Sequence, residues 1–521
     1  MNSSTLRRSM PAWRLLIVLP LLALLLASAL PAQAQGAVPG SFAPAPCPIP
    51  APQGYALDCG FLSVAESRQA PASRTIDLAV AIVRSPNRAK QPDPVLFLAG
   101  GPGQPALPLV ALAPEVFSEI LATRDMIFVD QRGTGYSRPA LNCAPQPGAP
   151  ARFMLPFGTA VGERPALLQA SVDALMRCGA QFRAQGVDLS AYNSVESAAD
   201  LEDLRVALGY NQWNLYGGSY GTRLALTAMS YRPATIRSAI LDSAYPLQAN
   251  FQTGVFGTFN RALGELDAAC AADTTCASAY PDLRGAFDRV VARLNAKAVV
   301  LPILNLETGE PIDYQPFSGV DVTVIVFQLM YATAAIPVLP AVIGEADRGN
   351  YRPLASLASV FFAQQTSGGV PAISQGMQVA VQCNEDATFA SARDFVAARD
   401  RNRSVAGLAF SPIFNEAILE ICAGWGLQAA NAAENQAVRS DIPALLVSGE
   451  FDPILPPESA HEVAQTLSRA TEVVIPRGGH TPSLLSACAR ATIVRFLGAP
   501  ERRPDAACLA QEPPAPFVVV P

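Results

Sequence analysis

Short apolar runs that stop at glycines constrain this chain more than any other feature. "PVLFLAGGPG" and "DMIFVDQRGTG" are continuous apolar stretches of strand length that end at glycines, as strands buried on both faces do. "WNLYG", "RSAILDS", "IPALLVSGE" and "TEVVIP" repeat the pattern further along. "RTIDLAVAIVRS" differs, because Ile76, Leu78, Val80 and Ile82 alternate onto one face, the period of a half-buried strand. In "SVESAADLEDLRVALG", Ser197 and Asp200 are candidate caps of a helix whose Leu201, Leu204 and Leu208 share a face and which Gly209 ends. Strands alternating with helices imply an α/β fold with a mainly parallel sheet covered on both sides.

That rhythm breaks between about Pro246 and Ser440. "FNRALGELDAACAA", "LRGAFDRVVARLNAK" and "VDVTVIVFQLMYATAAI" are helical in period, and no strand-turn-helix units recur among them. The segment therefore reads as a mostly helical insertion over residues 246–440, dividing a sheet domain into parts 35–245 and 441–521. Residues from Gln35 to Pro52 are rich in Pro, Ala and Gly and read as an irregular lead-in, with regular structure starting after them.

Ahead of this lies a segment to be set aside. Arg7, Arg8 and Arg14 precede the 16-residue run "LLIVLPLLALLLASAL", and "AQA" ends at Ala34. This is the pattern of a signal peptide over residues 1–34; the run is interrupted by Pro20 and falls short of the roughly 20 residues a spanning helix needs. Removing its three arginines takes the net charge from -6 to -9. Only 15% of residues are charged and no run of one sign appears, which leaves no stripe for nucleic acid and points to a small peptide or other small molecule as partner. All ten cysteines follow Ala34, and an even count in an exported chain suggests disulfides. They fall in order as short-range couples, Cys47 with Cys59, Cys143 with Cys178, Cys270 with Cys276, Cys383 with Cys422 and Cys488 with Cys508, although spacing alone leaves connectivity open.

The residues that carry chemistry begin at Gly217-Gly218-Ser219-Tyr220-Gly221. This matches G-x-S-x-G, whose glycines let a strand turn abruptly into a helix and expose the serine at the sheet edge; an ordinary glycine turn is the other reading. A buried strand precedes it, and "TRLALTAMSYR" continues as a helix. A serine nucleophile needs a base, normally a histidine held by a carboxylate. The chain has two histidines. His480 follows "TEVVIP" and the turn "RGG", at a strand's end, whereas His461 sits on the solvated side of a helical stretch. Between Ser219 and His480 in chain order, "LLVSGEFDPILPP" offers Asp452, whose short side chain and following Pro453 suit a fixed hydrogen bond, ahead of Glu450. The backbone N–H groups of Tyr220 and of Gly101, with Gly100 second, are the candidate oxyanion donors. No GK[ST] follows the glycine loop and no CxxC occurs, so no nucleotide, metal or other cofactor is expected.

"AGGPG", "VDQRGTGYS", "GGSYGTR", "GMQVAVQCNED", "CAGW", "SGEFDPILPP" and "PRGGHTP" occur in an order that resembles the exported tripeptidyl aminopeptidase-like and proline iminopeptidase-like serine peptidases of the α/β-hydrolase superfamily. The resemblance runs from about Cys47 to Cys508. It implies an α/β-hydrolase fold with an eight-stranded sheet and a helical cap, Ser219, Asp452 and His480 as triad, and the cysteine couples above. It also implies an acidic residue beyond a cap cysteine, here Glu385 with Asp386, able to bind a peptide's free amine. The glycine loop begins with Ala99, where proline iminopeptidases usually have histidine, which favours the tripeptidyl-type branch.

The expected function is an exported serine hydrolase, periplasmic or secreted, that releases short peptides or N-terminal residues from free N-termini. An esterase or amidase for small molecules uses the same triad and is the alternative. A non-catalytic binding protein on the same scaffold is disfavoured by the intact constellation.

Overall fold

The computed structural model describes residues 40–143, 158–159, 161–366, 373–429 and 432–520, so the leader expected over residues 1–34 lies outside the described chain. The apolar runs become the strands β1 (Ser41–Pro44), β2 (Ala56–Ala65), β3 (Thr75–Arg84), β4 (Val95–Leu98), β5 (Met126–Val129), β6 (Trp213–Gly218) and β7 (Ile236–Asp242). After a hairpin of β8 (Val299–Leu304) and β9 (Pro311–Phe317) come β10 (Ala444–Gly449) and β11 (Ala470–Ile475). Nine of them form one sheet in the order β1-β2-β3-β5-β4-β6-β7-β10-β11. From β5 to β11 all pairings are parallel, and β1, β2 and β3 add an antiparallel edge.

The sheet thus has nine strands where eight were expected. Part of the difference is β1, which lies inside the stretch read as an irregular lead-in; it pairs with β2 from Ser41 opposite Ser63 to Pro44 opposite Gly60. Its four residues are too few to show a period, and an edge strand tolerates the prolines around it. A second correction concerns β3. Ile76, Leu78, Val80 and Ile82 do share a face, but Ala79, Ala81 and Val83 on the other face are equally buried. Small alanines there pack under the 107–121 segment, so the strand alternates in side-chain size and not in exposure.

Helices Ser194–Leu208, Tyr220–Tyr231 and Pro457–Ala464 cover one face of the sheet, and Ala487–Gly498 covers the other. The helix through Leu201 and Leu204 starts earlier than read. Its cap is Asn193, which accepts from the Glu196 N–H at 2.9 Å, while Ser197 and Asp200 lie inside it; Gly209 ends it in the left-handed conformation at φ 75°.

A further apolar cluster belongs to the segment between β7 and β10. Helices Phe251–Ala272, Leu283–Ala296, Gly319–Tyr331 and Gln375–Glu385 build it, and the β8–β9 hairpin is a strand element in what had read as mostly helical. Helix Arg164–Ala184, from the chain before Ser219, also packs into this cluster, and the Trp425 indole donates to the Leu175 carbonyl at 2.9 Å. Five disulfides join Cys47–Cys59, Cys143–Cys178, Cys270–Cys276, Cys383–Cys422 and Cys488–Cys508. Among the described residues no helix is long and apolar enough to cross a membrane.

Candidate active site

In an open parallel sheet, loops at the carboxyl ends of neighbouring strands converge on one edge. Here β4 leads into Gly100 and Gly101, β6 into Ser219, β7 into Asp242 and Ser243, β10 into Asp452, and β11 into His480. The candidates on Ser219, His480 and the glycine loop line one cavity of about 350 Å³.

Ser219 sits between β6 and helix Tyr220–Tyr231 at φ 56°, ψ -125°, a conformation that a non-glycine residue holds only when its surroundings impose it. The surroundings are close-packed. A Cβ on Gly221 would lie 2.0 Å from the Leu98 carbonyl oxygen, so only glycine lets the turn lie against β4. The Ser219 N–H donates to the Asp242 carbonyl at 2.9 Å, tying the turn to β7. Gly100 abuts the serine, since a Cβ there would be 2.9 Å from Ser219 Cβ and 3.4 Å from its Oγ. Both candidate oxyanion residues, Gly101 and Tyr220, line the cavity beside it.

Asp452 is fully buried and fully hydrogen-bonded. Oδ1 accepts from the N–H groups of Ile454 and Leu455 at 2.9 and 3.0 Å, the turn that Pro453 stiffens. Oδ2 lies 2.8 Å from His480 Nδ1. It also accepts from the Ser243 hydroxyl at 2.7 Å, and Ser243 Oγ in turn accepts from the Thr481 N–H at 2.9 Å. Ser243 has φ 60° and was not singled out from the sequence, where "LDSAY" offers no motif. The cap holds the other side of His480. Its N–H donates to the Tyr331 carbonyl at 3.0 Å, the Gly479 N–H donates to Thr333 Oγ1 at 3.0 Å, and the Tyr331 ring lies edge-on at 4.8 Å.

The rejected candidates lie elsewhere. His461 is on the surface, 3.3 Å from Glu472, and Glu450 accepts from the Arg477 N–H at 2.7 Å.

Residues 93–270 match the family model described as the alpha/beta hydrolase fold, over the strands and elbow just described, and residues 408–508 match the one described as TAP-like protein. The chain has the α/β-hydrolase fold. This hydrolase is 29% identical to "Putative hydrolase YuaR" of Escherichia coli over 191 residues, 36% of each chain. It is 27% identical to a tripeptidyl aminopeptidase of Streptomyces lividans over 36% of this chain and 35% of that one. It is also 27% identical to carboxylesterase B of Mycobacterium tuberculosis over 78% of each chain. The matches to the first two thus span about a third of those relatives' length.

The acids beyond the cap cysteine are buried in the wall of the hydrolase's cavity. Glu385 ends helix Gln375–Glu385 and meets the start of helix Ser194–Leu208, accepting from the Ser194 N–H and, at 2.7 Å, from the Ser194 hydroxyl. Arg223, from the elbow helix, pairs with it at 2.9 Å. Arg223 also donates to the carbonyls of Leu247, Glu385 and Glu434, which staples the elbow helix to the cap. Asp386 accepts from the Tyr245 hydroxyl and from the Phe251 N–H at 3.1 and 3.2 Å. Burial pushes its carboxyl up to about 7 against the pull of Arg223. Burial pushes Asp242 up to about 7 as well; its Oδ2 accepts from Ser483, while its Oδ1 meets no donor among the described residues.

Proposed function

We propose that this hydrolase is an exported serine aminopeptidase that releases short peptides, of the tripeptidyl type, from free N-termini. The observation that carries the reading is a buried acid pair, Glu385 and Asp386, on the wall of the cavity that also holds Ser219 and His480. Burying two carboxylates opposite one arginine leaves an acceptor for one further cation. A peptide's terminal ammonium is such a cation. Since Arg223 pairs with Glu385, Asp386 supplies the surplus charge.

The chemistry assigned to the remaining groups follows from their positions. Ser219 Oγ attacks the carbonyl while His480 Nε2 takes its proton, and the imidazolium then protonates the leaving amine. Asp452, bonded to Nδ1, fixes the tautomer and stabilises the charged ring. The N–H groups of Gly101 and Tyr220 receive the oxyanion, each worth about 3 to 4 kcal/mol in the transition state. Water entering by the same route releases the peptide acid. Export is inferred from the leader over residues 1–34 and from five disulfides, which persist in oxidising compartments.

Carboxylesterase activity on small molecules is the second reading, favoured by the apolar part of the wall, where Phe97, Leu109, Phe251, Phe327 and Phe414 gather. Fluorophosphonate labelling of the wild type and its loss in Ser219→Ala test the nucleophile. Fluorogenic tripeptidyl amides, free and N-acetylated, beside p-nitrophenyl esters test the substrate. We expect the free peptide to be turned over at least about tenfold faster than its acetylated form, as loss of a buried charge pair implies. Equal rates would remove the amine site, and turnover of esters alone would install the second reading.

A further inference from the structure

Helix Gln375–Glu385 carries two side chains that the chemistry above does not use. Gln378 and Gln382 are 5% and 3% exposed, and both line the active-site cavity. Both amide atoms of Gln382, and Oε1 of Gln378, meet no hydrogen-bond partner among the described residues. Their neighbours on the helix, Met377, Val379, Ala380 and Val381, are apolar and buried. An unpaired buried amide is costly in free energy, so a site that keeps two of them facing a cavity is built for something that pairs them.

The positions have a direction. Gln378, Gln382 and Glu385 stand at i, i+4 and i+7, one stripe of the helix. Seven residues of helix rise about 10.5 Å, which is the length of about three residues of extended peptide. One end of the stripe is the Glu385 and Asp386 pair. The other is pinned to the glycine loop beside Ser219, since the Ser374 N–H donates to the Gly103 carbonyl at 2.8 Å.

We infer that Gln378 and Gln382 form a ladder of amides that reads the backbone of an extended peptide lying between the acid pair and the glycine loop. Gln382 donates from Nε2 to a substrate carbonyl and accepts at Oε1 from a substrate N–H; Gln378 Oε1 accepts from the next N–H toward Ser219. The ligand class is a peptide main chain, read independently of its side chains. This rests on the aminopeptidase reading and adds to it, because the ladder's length sets how many residues fit between amine and nucleophile.

The test uses the full chain, a free-amine Ala-Ala-Phe coumarin amide, the same peptide N-methylated at either internal nitrogen, its N-acetylated form, and p-nitrophenyl acetate. In the wild type, methylating either of those nitrogens lowers kcat/KM about tenfold, the effect of losing one buried hydrogen bond. In Gln382→Met the ratio of peptide to acetate kcat/KM falls by a similar factor, and methylating the nitrogen nearer the free amine then has little further effect. Wild-type indifference to methylation, or penalties of Gln382→Met and of that methylation that multiply independently, would overturn the ladder. If the variant behaves as expected but acetylated and free peptides are cleaved equally, the aminopeptidase reading fails and the ladder stands. Hydrolysis of the acetate without any peptide turnover would sink both.

Discussion

Ser243 shows what a single residue contributes and why its role was illegible in the sequence. The proposed triad of Ser219, Asp452 and His480 rests in the sequence on a glycine-flanked serine, a scarcity of histidines and an Asp-Pro turn between them in chain order. Ser243 has no such company, and only the fold brings its hydroxyl to Asp452 Oδ2. Removing it in Ser243→Ala leaves the carboxylate with one donor fewer and frees the Thr481 N–H beside His480. We expect kcat to fall about tenfold, the effect of a lost buried hydrogen bond, with KM nearly unchanged. A kcat equal to that of the wild type would show that Ser243 does not act through the Asp452–His480 pair. Asp386 makes a second residue-level prediction. With its carboxyl at about 7, it is mostly neutral below that pH and ionised above it. KM for free-amine peptides should therefore fall as pH rises through about 7, until the substrate amine loses its own proton near pH 8. Asp386→Asn should flatten that dependence, and KM measured from pH 5.5 to 8.5 decides it.

At the scale of elements, the contact between the end of helix Gly319–Tyr331 and the His480 loop links cap to chemistry. Thr333→Val keeps the side-chain volume and removes the acceptor for the Gly479 N–H. We expect kcat to fall several-fold with KM nearly unchanged, because the base is loosened and the cavity wall is not. An effect confined to KM would place Thr333 in binding instead. Element types were legible where a continuous apolar run was bounded by turn residues, as for β4 to β7, β10 and β11. What was not legible was burial or pairing set elsewhere in the chain. β3 reads as a strand, but its small-residue face is covered by the 107–121 segment, and among the described residues β8 and β9 pair only with each other. Nothing in "GMQVAVQCNED" marks its glutamines, four apart, as buried; only the packing of the helix shows it.

For the whole molecule, two buried carboxyls bind their protons more tightly folded than unfolded. Asp242 and Asp386 each rise from 3.8 to about 7 on folding. Between those values the native state holds more protons than the unfolded one, so their contribution to stability is full below about pH 4 and is lost as pH rises toward 7. This opposes the usual carboxylate trend. The thermal midpoint should accordingly gain less, or even decline, from pH 5 to pH 7.5, and Asp242→Asn should lessen that decline by about 2 °C or more. A wild type and variant with parallel pH curves would count against it. Among the described residues no strand between β7 and β10 joins the nine-stranded sheet, and the apolar runs of the sequence likewise cease near Pro246 and resume near Ser440. The share that helix Arg164–Ala184 takes in that segment's core was not legible, since it lies far off in sequence.

The five bridges close loops of 6 to 39 residues, each between cysteines adjacent in cysteine order. As a covalent graph the oxidised chain is a row of small separate rings, none enclosing another. No ring joins the 246–440 segment to the strands that carry Ser219, Asp452 and His480. The grip of Tyr331 and Thr333 on the His480 loop is held by hydrogen bonds and a ring contact and by no covalent link, so thiol reagents would loosen the chain locally while leaving that grip in place.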